Sequence, residues 1–94
     1  MQIGVLEVRL DLPGVHSLKG KRGIIKGLLA RIRQRFEVAA AEVAHQDRHQ
    51  TAGLGMAVVG NDVALLQRRL QQVVTFIENS GQGVVVDYRV DVIS

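Results

Sequence analysis

Ninety-four residues carry twelve Lys and Arg against nine Asp and Glu, a net charge of +3, with no cysteine and no tryptophan. A chain of this length with 47% apolar residues supports one domain over residues 1–94, built on a single core. Disulfides, thiolate metal sites and cysteine nucleophiles are excluded, and no apolar run approaches the roughly 18 residues that cross a bilayer as a helix.

The first element is a half-buried strand over residues 2–12. Gly4, Leu6, Val8, Leu10 and Leu12 alternate with Glu7, Arg9 and Asp11, the period of two that leaves one face on a core. Pro13-Gly14 breaks it, and Ser17 is a good helix N-cap. Helix one is predicted from about Leu18 to Arg35, with its apolar stripe at Leu18, Ile25, Leu28, Leu29, Ile32 and Phe36. A second, alanine-rich strand is expected from Phe36 to Gln46, with Phe36, Val38 and Ala40 on one face. A polar loop follows over Asp47 to Thr51. Leu54, Met56 and Val58 then mark a third strand, ended by Gly60-Asn61. Asn61 or Asp62 caps a second helix whose core face is Val63, Leu66, Leu70, Val73, Val74 and Ile77, and Asn79-Ser80-Gly81 stops it. The last strand is read with Val84, Val86, Tyr88, Val90 and Val92 inward and Asp87, Arg89 and Asp91 outward.

The order β-α-β-β-α-β, with right-handed crossovers, places both helices on one face of a four-stranded antiparallel sheet. The expected fold is the α+β ferredoxin-like sandwich, with the odd-numbered strand residues pointing away from the helices.

Charge is concentrated in helix one. Lys19, Lys21, Arg22, Lys26, Arg31, Arg33 and Arg35 lie in a stretch with no acid between Asp11 and Glu37. At roughly 100° per residue, Lys19, Arg22, Lys26 and Arg33 form one stripe beside the core face. Arg31 and Arg35 take the opposite flank. Lys21 falls nearer the apolar side and reaches solvent only through its place in the first turn. Gly20, Gly23 and Gly27 form a bare outer ridge, each costing about 1 kcal/mol against alanine. Three cations at a helix N-terminus, where free N–H groups already attract anions, favour a polyanionic partner. The bland alternative is a solvated basic face. The segment is not a phosphate-binding P-loop, because five residues separate Gly14 from Gly20 and Arg22 stands where Ser or Thr would bind magnesium.

Other candidates are weaker. His45, Asp47 and His49 alternate near the second hairpin with Glu42 close by, which would suit a metal or acid–base chemistry, but a polar loop accounts for them equally. No metal site, cofactor or catalytic constellation is expected. The outward residues of strands one and three are aliphatic, acidic or glycine, so the aromatic sheet platform of an RRM is absent. Ile3, Val5, Ala57 and Val59 form a small apolar patch there. With Leu65 and Phe76 on the second helix, they are candidates for a dimer or partner surface.

Ser17-Leu18-Lys19-x-Lys21-Arg22, Ala41-Glu42-Val43, His45-Gln46-Asp47 and Phe76-Ile77-Glu78 together resemble the YlxP-like family of small uncharacterised bacterial proteins. The resemblance covers nearly the whole chain. It implies a ferredoxin-like fold and, through gene neighbourhoods rich in translation and ribosome-maturation genes, a link to ribosomal RNA or ribosome assembly. Gly20 replaces an acid usual in such motifs, Ala39 a frequent serine, and His49 a common aromatic. The expected function is a non-catalytic RNA-binding module that grips phosphates through helix one. The alternative is a protein-interaction module, homodimeric or partner-docking through the outer sheet face. No membrane partner is expected. The first residues lack the basic-then-apolar pattern of a signal peptide, which gives a cytoplasmic expectation.

Overall fold

The computed structural model describes residues 1–94. Six elements follow the expected order: β1 (Gln2–Asp11), α1 (Leu18–Phe36), β2 (Ala39–Ala44), β3 (Thr51–Gly60), α2 (Val63–Glu78) and β4 (Val84–Ile93). The strands form one sheet in the order β2-β3-β1-β4, with β1 antiparallel to both β3 and β4 and β2 antiparallel to β3. This is the ferredoxin-like α+β arrangement, with β2 and β4 at the edges.

Local signals set the helix boundaries. The Ser17 hydroxyl accepts from the Gly20 N–H at 3.0 Å, and the Asp62 carboxylate accepts from the Leu65 N–H at 3.1 Å. Each satisfies a donor that the first turn leaves free. Helix α1 runs one residue past Arg35 and closes on Glu37 in the left-handed region at φ 51°. That turn keeps Phe36 in the helix and starts β2 only at Ala39, a correction to the strand expected from Phe36. Helix α2 stops at Asn79, followed by Gly81 at φ 74°.

The core lies between the helices and the even-numbered face of the central strands. Leu6, Val8 and Leu10 of β1 and Ala52, Leu54, Met56 and Val58 of β3 are buried against Ile25, Leu28, Leu29 and Ile32 of α1. Leu66, Leu70, Val73, Val74 and Ile77 of α2, with Leu12 and Val38 from the connections, complete it. Strand β4 departs from the expected alternation. Its register against β1 shifts between Arg9 and Leu10, so that Arg9 faces Asp87 but Leu10 faces Val85. The bulge absorbs one residue and reverses the faces beyond it. Val85 therefore packs on the core, whereas Val84 and Val86 are exposed. Gly83 permits the turn into β4, because at φ 111° a Cβ would sit 2.5 Å from the Asp11 carbonyl oxygen.

Candidate nucleic-acid interface

Six of the seven basic residues of α1 are exposed: Lys19, Arg22, Lys26, Arg31, Arg33 and Arg35. The helix carries no acid in its first turn, and no carboxylate pairs with any of these six. Five of them fall into two groups. Arg22, Lys26 and Arg33 flank a shallow depression beside β2 whose acidic member is Glu42. Arg33 Nη2 donates to the Ala40 carbonyl at 2.6 Å, occupying a backbone acceptor on an edge strand. Arg31 and Arg35 face the other way, towards α2. The bare ridge is also present. A Cβ on Gly23 or Gly27 would meet nothing within 4 Å, whereas one on Gly20 would lie 3.1 Å from the capping oxygen of Ser17. Changing Gly23 and Gly27 together to Ala should therefore raise stability by about 2 kcal/mol, through helix propensity alone. A thermal melt checks this, and an unchanged midpoint would contradict the open placement of the ridge.

Lys21 does not join these exposed cations. The sequence places it among the phosphate-binding cations, but its side chain is fully buried. Four residues before Ile25 and seven before Leu28, it lies on the core stripe, and its long stem follows that stripe inward. Lys21 Nζ donates to the His45 carbonyl at 2.6 Å and to the Arg48 carbonyl, and stands 2.8 Å from Glu42 Oε2. The carboxylate approach is close but off-axis, so the contact is an ion pair without a well-aligned hydrogen bond. A buried ammonium needs such partners to offset the loss of water. Lys21 thus ties the start of α1 to the β2–β3 hairpin.

The same contacts reassign the hairpin residues. His45 adopts φ 61° and presents its carbonyl to Lys21. Glu42 turns its carboxylate inward from β2 to reach Lys21. No three His, Asp or Glu side chains converge at metal-binding distance. Lys21 of the Ser-Leu-Lys-x-Lys-Arg segment and His45 of the His-Gln-Asp segment thus meet in one structural clamp, which Glu42 and Arg48 complete.

A family model for a protein of unknown function, DUF503, matches residues 3–90. The chain belongs to the DUF503 family. It is 32% identical to the uncharacterised protein YlxP of Bacillus subtilis (strain 168) over 77 residues, 82% of this chain and 84% of that protein. Among solved structures it is similar to the de novo designed protein Foldit4, with a TM-score of 0.51 at 12% identity, covering 100% of this chain and 98% of the design. That likeness concerns the fold alone. A weaker likeness, with a TM-score of 0.48 at 12% identity, is to LarC2, the C-terminal domain of a cyclometallase; it covers 98% of this chain and 54% of that one.

In this DUF503 protein the apolar candidates separate onto two sides. Ile3, Val5 and Ala57 are half-buried and Val59 is 62% exposed, all on the sheet face that no helix covers. Leu65 and Phe76 belong to the helix layer and cannot join that patch. Leu65 is exposed, but Phe76 packs edge-on against Phe36, with ring centroids 5.5 Å apart and planes at 79°. Sequence reasoning missed the groove around this pair, which also includes Arg68, Gln71 and Gln72 of α2. The spacing Arg68-x-x-x-Gln72-x-x-x-Phe76 marks one helical flank. Which flank meets α1 is a tertiary fact that the spacing does not contain.

Proposed function

We propose that this DUF503 protein is a non-catalytic RNA-binding module whose first helix contacts phosphates on structured RNA, ribosomal RNA being the class that the family resemblance implies. The observation that carries the reading is the set of six exposed cations on α1 without an acidic partner. Such a face repels itself in isolation and is relieved by a polyanion. Phosphate contacts position a protein without reading sequence, so discrimination falls to RNA shape. The experiment is binding to single-stranded and structured RNA across a salt series. Engagement of about three to five phosphates gives a single-strand slope of log affinity on log salt of about −2 to −3.5. Co-sedimentation with ribosomal particles that is lost as salt rises would identify the RNA, and a slope near zero would overturn the proposal.

A second reading has its own observation. The uncovered sheet face carries Val43 and Val59, both more than half exposed, beside Ala39, Ala41, Gly55 and Ala57, which is smooth enough for another sheet to approach. On this reading the protein self-associates through Ile3, Val5, Ala57 and Val59. Light scattering should then report dimer mass that falls on Val59→Lys. A monomer at every concentration would rule this reading out.

A further inference from the structure

We propose that the groove between α1 and α2 is a nucleotide subsite, which seats one unstacked base of a single-stranded RNA segment together with its phosphate. This deepens the RNA reading above and rests on it. Three guanidinium groups, Arg31 and Arg35 from α1 and Arg68 from α2, line one groove that contains no Asp or Glu. None of the three has an ion-pair partner anywhere in the molecule. Cations from two separate helices brought into one acid-free groove repel one another, and an anion between them removes that cost.

The second observation is independent of charge. Two of the chain's three aromatic residues, Phe36 and Phe76, meet in this groove and are only partly buried. Arg35 lies beside both, its guanidinium carbon 5.8 Å from the Phe36 centroid and 5.6 Å from that of Phe76. A guanidinium plane held against aromatic rings is a surface on which a base can stack. Gln72 and Asn79 add amide donors and acceptors to the lining, the groups that read exposed base edges. An acidic peptide would satisfy the three arginines but would leave the stacking surface and the amides without a role.

The test compares two probes of equal charge with the full chain: a labelled ten-nucleotide oligouridylate and an oligomer of the same length with abasic riboses. The parent should prefer the base-bearing strand by about fivefold or more, the range expected for one base–aromatic stack. Arg68→Gln, at an exposed position, should weaken binding to both probes and flatten the salt slope by about 0.7. Phe76→Leu should remove the base preference and leave the slope unchanged. Should that variant lose its fold, Arg35→Lys tests the same stack, because ammonium keeps the charge but not the plane. Equal binding of both probes by the parent would overturn the subsite while leaving the basic helix intact. An Arg68→Gln variant with the parent's slope would do the same. Weaker binding to both probes on changing Lys19 and Lys26 to Gln, with the base preference retained, separates the two surfaces as the proposal requires. Failure of the parent to bind either oligomer would remove both readings together. Tighter binding to a polyglutamate peptide than to oligouridylate would reassign the groove to an acidic protein.

Discussion

Replacing Lys21 with Met should destabilise the protein by about 3 kcal/mol, the scale of removing one partner from a buried ion pair. The loss has two parts. Glu42 is left with a largely buried carboxylate, its side chain 16% exposed, and the His45 and Arg48 carbonyls lose their shared donor. Met nearly matches the stem in length, so little of the effect comes from a cavity. Adding Glu42→Leu should recover a large part of the stability, because the stranded charge is then gone. Urea unfolding of the two single variants and the double variant measures the coupling. A Lys21→Met protein within about 0.5 kcal/mol of the parent would show that the clamp is unimportant. In hydrogen exchange, the Arg48 amide, which donates to the His45 carbonyl at 3.0 Å, should lose protection selectively in a Lys21→Met protein that still folds.

Lys21 also shows what the sequence can and cannot tell. The element order and the inward faces of β1 and β3 follow from period-two patterning, and these define the sandwich. Ser17, Asp62 and Gly81 act through local chemistry, so three of the four helix ends are legible from them, whereas the left-handed Glu37 that ends α1 carries no such signal. Lys21 is misplaced by sequence reasoning because residue type and position disagree: its charge argues for solvent and its helical angle for the core. Angle prevails, because the hairpin supplies two carbonyls and a carboxylate that no local pattern announces. The faces of Val84, Val85 and Val86 are misread for a related reason. A run of three valines has no alternation, and the bulge opposite Arg9 and Leu10 belongs to the pairing of two distant strands. Phe36 and Phe76 lie far apart in the chain and share a groove only through the packing of two helices.

Changing Lys19, Arg22 and Lys26 together to Gln should flatten the RNA salt slope by about two units, at about 0.7 for each phosphate no longer neutralised. At 0.1 M salt the affinity should then fall by about a hundredfold, and parent and variant should converge as salt approaches 1 M. This set leaves out Lys21, whose loss would unfold the clamp and mimic a binding defect. All three chosen side chains are exposed, and none has a carboxylate partner. Lys19 and Arg22 also stand near the positive end of the α1 dipole, with no acid in that first turn. Neutralising them should thus leave stability unchanged or raise it by a few tenths of a kcal/mol. Lower affinity together with an unchanged or higher melting temperature is a combination that misfolding cannot produce. Retention of the parent's affinity and slope by this triple variant would rule out α1 as the phosphate-binding surface, and the uncovered sheet face would become the leading interface.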